Sequence, residues 1–199
     1  MQIRIRDDDV LVPTGTYSSS LGRFQQVHKW IVGAQPKTVH VCGFIIRYME
    51  DEFRSTVPFF RDEILAGRIE AQFHGYDHID YKPLRVPEIR EHLRRGKDFM
   101  AQNFGVLPTQ FITPWGANAP HIAEACQREG MEMRDVSNIY HLKDVVYRLR
   151  DKWAPLAAFG DKDILTHWWE GGARIARLCA VAKYGSWDEA KAHDPQLFR

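Results

Sequence analysis

The stretch QIRIRDDD, residues 2–9, opens the chain with a change of pattern. Residues 2–6 alternate apolar and polar side chains, the period of two that is typical of a β-strand. Three consecutive aspartates follow, and we expect them to end this strand. Adjacent carboxylates repel one another, so the run needs a cation or a cationic side chain nearby. The stretch therefore predicts a first strand with a site for positive charge at its carboxyl end.

Strand and helix patterns alternate along the rest of the chain. Further strands are predicted at residues 38–42, 68–73, 110–113, 131–136, 145–149 and 163–166. Helices are predicted at residues 21–31, 58–66, 87–104, 119–128 and after 186, with Ser18–Ser20 and Ser186 as N-terminal caps. This alternation predicts an α/β fold with a mostly parallel sheet. About seven strands in 199 residues favour a closed or nearly closed barrel in one domain, 1–199, over a flat doubly wound sheet.

The composition is that of an ordinary globular protein. Hydrophobic residues make up 44% of the chain, and 27 basic against 26 acidic residues leave a net charge of +1. That balance does not favour a nucleic-acid-binding surface. Three widely spaced cysteines form neither a disulfide framework nor a CxxC motif, which favours a reducing compartment. Without a signal-peptide pattern or a membrane-length apolar run, the sequence is expected to be cytoplasmic.

Polar and aromatic clusters follow four of the predicted strands. They are Asp7–Asp9, His74–His78, Pro114–Gly116 and His167–Trp169. In α/β folds the functional groups gather beyond the carboxyl ends of the strands. The four clusters are therefore predicted to share one rim of the sheet.

His74 and His78 are four residues apart, a spacing that lets both imidazoles reach one ion. Such a pair taken alone is more often a pair of surface or packing histidines, and an aspartate cluster alone is more often a solvated turn. Together they offer two nitrogens and a carboxylate oxygen, which leaves coordination positions open for water and substrate. We interpret them as a catalytic metal site.

Each remaining rim residue has either a structural role in packing or a functional role in the site. His167 is either a packing histidine or a general acid, since histidine titrates near neutral pH. Trp115 and Trp168 are either core residues or a surface on which a sugar stacks. Arg6 lies two residues before Asp8, so both side chains are expected on one face, where the guanidinium would keep the carboxylate ionised.

At these residues the sequence resembles the polysaccharide deacetylase family, also called the NodB-homology domain or carbohydrate esterase family 4. Residues 6–9, RDDD, resemble the first motif of that family, and the pair His74 and His78 resembles the second. Residues 112–116, ITPWG, resemble the third motif with isoleucine in place of its arginine. Residues 165–167, LTH, resemble the late motif. The motifs occur in the family's order and span the chain to about residue 170.

The resemblance implies a distorted (β/α) barrel of about seven strands and a role for each matched residue. Asp8 would be the catalytic base and Asp9 a metal ligand, although a register one residue earlier, Asp7 and Asp8, also fits. His74 and His78 would be the other ligands, and His167 the catalytic acid. Since Ile112 replaces the arginine that steadies the base, Arg6 is predicted to take over that role.

The implied reaction is removal of an N-acetyl group from an amino sugar or glycan. Zinc is the metal expected from the ligands, with cobalt, nickel, manganese and iron as alternatives. Trp115 and Trp168 are predicted to contact a carbohydrate or small amide substrate, and no nucleic acid or membrane span is expected. Three rivals remain: a small-molecule amide or imide hydrolase on the same barrel, a non-catalytic carbohydrate-binding relic of the fold, and a plain interaction domain.

Overall fold

The computed structural model describes residues 2–11, 21–134, 139–151, 155–159, 162–167 and 171–199. The strands are β1 (Ile3–Val10), β2 (Thr38–Phe44), β3 (Ile69–Phe73), β4 (Gln110–Phe111), β5 (Glu132–Met133), β6 (Ile139–His141) and β7 (Asp163–Thr166). The helices are α1 (Leu21–Val32), α2 (Ile46–Glu50), α3 (Val57–Leu65), α4 (Val86–Phe104), α5 (Pro120–Arg128), α6 (Leu142–Arg150), α7 (Gly172–Tyr184) and α8 (Trp187–His193). Short 3₁₀ turns occupy Arg54–Thr56, Pro114–Gly116 and Leu156–Phe159.

The seven strands form one parallel sheet in the order β5-β4-β3-β2-β1-β7-β6. Helices join β1 to β2, β2 to β3, β3 to β4, β4 to β5 and β6 to β7, as parallel pairing of strands requires. The α/β fold of about seven strands predicted from the sequence is therefore confirmed. Because parallel strands end at one edge, the segments that follow β3 and β4 leave on the same side of that pair, and so do the segments that follow β1 and β7.

Contacts between Cα atoms group the chain into two compact units, and the boundary passes through β1 and β2. The first unit contains residues 1–7, 20–41 and 138–199. Within it α7 packs on α1, α6 and α8, and its core includes Phe24, Ile164 and Leu178. Burial of these apolar side chains supplies the main stabilising free energy of the unit.

The second unit contains residues 8–19 and 42–137. Its core is aromatic: Phe44 packs against Phe60 and Phe104, with ring centroids 5.1 and 4.9 Å apart. These side chains tie β2 to α3 and α4, and all three rings are fully buried. Strand β3, which is followed directly by the first histidine of the predicted site, lies among these well-packed elements.

Two predictions about single elements were wrong. The aspartates do not end β1, which continues to Val10 through two buried carboxylates, Asp7 and Asp8. Residues 145–149 are not a strand but part of α6. Their β-branched residues favour a strand, yet Leu142, Val145, Val146 and Leu149 recur at helical spacing and are all buried. Packing of this face overrides the local propensity.

The end of the chain agrees with its local signal. The Ser186 side chain accepts a hydrogen bond from the Glu189 N–H at the start of α8, the capping interaction predicted from the sequence. Ser18–Ser20, the predicted cap of α1, lie outside the described residues. Within the described ranges no helix combines the length and the apolar character that crossing a membrane requires.

Candidate metal centre

Asp9 meets both histidines of the HGYDH segment near the end of β1. Its Oδ1 lies 3.1 Å from Nε2 of His74 and 2.9 Å from Nε2 of His78. The backbone of Asp9 has φ of 61°, which interrupts the alternation of side chains along the strand. Aspartate tolerates this left-handed conformation better than most residues, and such strain concentrates at functional sites. The turn presents the Asp9 carboxylate to the two rings.

The segment with the two histidines is held by backbone hydrogen bonds from α2. His74 follows β3 directly, and the N–H groups of Ile46 and Arg47 donate to the carbonyl oxygens of Gly75 and Tyr76, at 3.1 and 2.9 Å. These N–H groups belong to the first turn of α2, where they have no partner within the helix. These hydrogen bonds fix the backbone of the loop and therefore the positions from which the two histidine side chains extend.

The tautomer of His74 follows from its other ring nitrogen. Nδ1 lies 2.9 Å from the carbonyl oxygen of Ile112, which can only accept, so Nδ1 donates. In the neutral ring Nε2 then carries a lone pair that faces the Asp9 carboxylate. Two acceptors at 3.1 Å repel unless a proton or a metal cation lies with them. A carbonyl on the far nitrogen is the arrangement found for histidines that bind metals.

The ligand set fits one divalent cation. One ligand atom from each of Asp9, His74 and His78 lies within 4.8 Å of the others. Burial raises the pKa of Asp9, but hydrogen bonds and charge attraction from the two histidines outweigh it and hold the pKa well below its usual range. The carboxylate is therefore ionised at neutral pH, as a metal ligand must be.

Asp8 is buried beside the site, and Gly43 of β2 makes room for it. A Cβ atom at position 43 would lie 3.2 Å from Oδ1 of Asp8 and 3.2 Å from Cβ of His74. Any side chain there would crowd both residues. Sequence reasoning missed Gly43, although a glycine inside a β-branched strand is a signal of close approach.

Tyr81 is a second residue that sequence reasoning missed. Its side chain is fully buried, and its hydroxyl accepts a hydrogen bond from the Tyr76 N–H at 3.1 Å. The same hydroxyl lies 3.1 Å from Nδ1 of His92 on α4. Tyr81 thus ties the histidine loop to a long helix. The sequence around Tyr81 does not indicate this role, because the hydroxyl binds a backbone N–H group, which every residue except proline has.

Trp115 lies at the site with most of its side chain exposed. Its ring packs against His78, with centroids 4.8 Å apart, and 71% of the residue is accessible to solvent. Its backbone is also left-handed, with φ of 57°. An exposed indole against a candidate ligand offers an apolar face to a molecule that enters the site. Trp168, the other predicted substrate contact, lies outside the described residues.

The predicted orienting residue, Arg6, is buried against an aspartate of the neighbouring strand. Its Nη1 lies 3.7 Å from Oδ2 of Asp163, and both side chains are almost inaccessible. Nε of Arg4 donates to Oδ1 of the same carboxylate at 2.8 Å. Two arginines against one carboxylate form a fixed charged cluster on β1 and β7. Asp163 was not singled out from the sequence.

His167, the predicted acid, follows β7 and is half-buried. The residue before it, Thr166, is in register with Asp7 of β1. His167 therefore leaves its strand at the level where β1 enters the three aspartates. Asp7 of β1 and His167 after β7 therefore lie at about the same level of two neighbouring strands.

The fold matches solved structures of low sequence similarity. No family model and no curated protein sequence matches the chain. A family 4 carbohydrate esterase from Streptomyces lividans, solved in complex with acetate, has a TM-score of 0.65 at 15% identity over 96% of this chain and 88% of that one. The peptidoglycan deacetylase PdaC from Bacillus subtilis has a TM-score of 0.63 at 15% identity, over 98% and 93%.

A carbohydrate esterase family 4 pseudoenzyme from Bacillus anthracis also matches. Its TM-score is 0.64 at 14% identity, and the match covers 97% of this chain and 61% of that one. Both enzymes and a pseudoenzyme thus share the fold. At this level of identity the likeness establishes the fold alone, so the chemistry has to be argued from the residues.

Proposed function

We propose that this chain is a metal-dependent hydrolase that removes an N-acetyl group from an amino sugar or glycan by cleaving the amide C–N bond. The observation that carries the proposal is the Asp9, His74 and His78 cluster, with the far nitrogen of His74 bound to the Ile112 carbonyl. The likeness to a structure holding acetate and to a named peptidoglycan deacetylase supports the same substrate class.

The three clustered residues would hold the ion, with zinc expected from two imidazoles and one carboxylate. Cobalt, nickel, manganese and iron suit the same mixed ligands. When bound, such an ion supplies Lewis acidity towards a carbonyl oxygen and lowers the pKa of water. The side chains around it would place the amide and move the protons.

Asp8 is proposed as the general base. It is buried in the space that Gly43 leaves, and as an anion it would accept the proton of the attacking water. His167 is proposed as the general acid that protonates the nitrogen, because an amide nitrogen leaves poorly as an anion. Trp115 and Trp168 would contact the sugar ring. The products would be acetate and a free amine.

Arg6 is proposed to orient the base in place of the arginine that Ile112 replaces in the family motif. Replacing Arg6 by methionine should lower turnover at least about a hundredfold and leave the bound metal unchanged. Arg4→Met is the matched control, since it removes the other arginine from Asp163 and should retain most of the turnover. Equal turnover in the two variants would remove Arg6 from the mechanism.

The test of the function combines metal analysis with a hydrolysis screen. The purified chain should retain about one divalent ion and release acetate from chitin oligomers or N-acetylated peptidoglycan fragments. Acetate or amine release only from small amides or imides would favour the small-molecule hydrolase. Tight sugar binding without hydrolysis would favour the non-catalytic module, for which the isoleucine at position 112 is the supporting feature. An absence of bound metal would refute the proposed site.

A further inference from the structure

A cavity of about 260 Å³ opens at the carboxyl ends of β6 and β7. The strands are parallel and in register, with His141 beside Leu165, so their ends lie level. The polar residues that line the cavity are His141, Lys143, Thr166, His167 and Arg174. The carboxyl ends of parallel strands are where α/β folds place their ligands. The proposed catalytic acid, His167, is therefore part of the wall of this cavity.

Gly171 keeps this cavity open. It precedes α7 with a negative φ of −143°, so a left-handed backbone is not the reason for glycine there, whereas lack of space for a side chain is. A Cβ atom at this position would lie 2.8 Å from Cδ2 of Leu142 and 3.5 Å from Oγ1 of Thr166. A side chain would therefore fill part of the cavity and press on Leu142.

Among the described residues, the lining of the cavity carries positive charge and no carboxylate. Lys143 and Arg174 are both exposed, and in the described part of the chain no carboxylate lies within ion-pair distance of either. Asp144 follows Lys143 in α6 but does not line the cavity. The first turn of α7 contains no acidic residue. The charge of the cavity is thus not neutralised by the described residues.

Arginines elsewhere in the molecule are commonly neutralised. Arg90 and Arg94 both bind the carboxylate of Glu129, and Arg47 binds that of Asp77 at 3.0 Å. Lys143 and Arg174 differ from these arginines, because neither forms an ion pair with a described carboxylate. Two cations that no described carboxylate neutralises attract an anionic group to the concave surface beside them.

The size of the cavity limits what it can hold. Sites that enclose a whole drug-sized ligand measure roughly 300–1,000 Å³, so about 260 Å³ suits one substituent of a larger molecule. We propose that this cavity is a subsite for an anionic oxygen-bearing group, a carboxylate or a phosphate, on the substrate whose acetamide is hydrolysed. The proposal rests on the deacetylase function above and narrows its substrate class to acidic amino sugars. Lys143 and Arg174 would bind the anion beside His167.

The test compares three monosaccharide probes that differ in charge. N-acetylglucosamine is neutral, N-acetylmuramic acid carries a carboxylate, and N-acetylglucosamine 1-phosphate carries a phosphate. Binding is measured by calorimetry on metal-free protein, so the result does not depend on turnover. At least one acidic probe should bind about tenfold or more tightly than the neutral one, the size expected for a hydrogen bond to a charged group. The preferred acidic probe identifies carboxylate or phosphate.

Variants locate the preference. Lys143→Gln with Arg174→Gln should abolish it, Arg174→Lys should keep part of it, and Gly171→Ala should weaken it by filling the cavity. Arg148→Gln is the matched control, because Arg148 is an exposed arginine of α6 that does not line the cavity. Equal binding of neutral and acidic probes, no binding of an acidic probe at millimolar concentration, or a preference that survives in the double variant would each overturn the subsite.

Acetate release from the metal-loaded protein is measured separately with the same probes. A charge preference in binding without acetate release from any substrate would leave the anion subsite standing and refute the deacetylase. Acetate release without a charge preference in binding would support the deacetylase and refute the anion subsite. The two proposals can therefore fail independently.

Discussion

Two pairs of histidines lie in this molecule with similar ring separations and opposite surroundings. The ring centroids of His74 and His78 are 5.7 Å apart, and those of His28 and His40 are 5.0 Å apart. In the first pair both Nε2 atoms face the Asp9 carboxylate. In the second pair the rings stack with each other and with Phe24, and their Nδ1 atoms are 2.8 Å apart.

The stacked pair forms a hydrogen bond within itself. One Nδ1 must donate and the other accept, so the bond exists only while at least one ring is neutral. Burial, and then the charge of His28, hold the pKa of His40 well below its usual range. The pair beside Asp9 instead turns both Nε2 atoms towards an anion. The carboxylate and the backbone carbonyl, rather than the proximity of two imidazoles, therefore distinguish the candidate cation site from the stacked pair.

The largest expected effect comes from removing the carboxylate. Asp9→Asn should lower divalent metal affinity by more than about a hundredfold and reduce acetate release to background, because losing a direct metal ligand weakens binding more than losing a residue that only supports a ligand. Metal content after gel filtration measures the first effect. Asp51→Asn, at an exposed aspartate after α2, is the matched control and should bind metal normally. If Asp9→Asn still bound one ion per chain, the carboxylate would not be what distinguishes the His74 and His78 pair as a cation site.

A smaller effect is expected at the tether of the histidine loop. Tyr81→Phe removes the hydroxyl that accepts from the Tyr76 N–H and should weaken metal affinity about tenfold, as the loss of an outer-shell partner does. Titration with cobalt, followed by its visible absorption, reports both affinity and ligand geometry. Tyr147→Phe, at a half-exposed tyrosine of α6, should change neither. An unaltered cobalt spectrum and affinity in Tyr81→Phe would show that the loop holds its shape unaided.

The smallest expected effect concerns the stacked pair and the pH dependence of folding. The unfolded chain takes up a proton at His40 near the ordinary pKa of 6.5, whereas the folded chain does so only at lower pH. The stability contributed by neutral His40 is therefore present above about pH 6.5 and lost as the pH falls below it. One proton gives at most about 1.4 kcal/mol per pH unit in the free energy of unfolding.

His40→Leu should accordingly flatten the loss of stability between pH 6.5 and 5, measured by urea unfolding. His193→Gln, at an exposed histidine of α8, should keep the wild-type slope. A slope in His40→Leu as steep as that of the wild type would mean that other groups govern acid unfolding. The metal content of His40→Leu should equal that of the wild type, which would sharpen the contrast between the two pairs.

Local sequence was sufficient for elements whose signals agree with one another. The helix predicted at 87–104 is observed as Val86–Phe104, because an apolar face, an initial proline and the final Gly105 all indicate the same bounds. The strand predicted at 163–166 is observed with those bounds. Where signals conflicted, as at residues 145–149, only the burial of the helical face decided the outcome.

The sequence by itself determined the α/β alternation and the residue types of the site, because periodicity and ligand chemistry are written locally in the chain. It left open which aspartate meets the histidines, and it assigned nothing to Gly43, Tyr81 or Asp163. Those answers came only from the tertiary structure. The left-handed backbone at Asp9 brings that carboxylate to the histidines, and the missing Cβ of Gly43 leaves room for Asp8. Tyr81 binds a backbone N–H group, and strand pairing brings Asp163 to Arg4, neither of which a local pattern records.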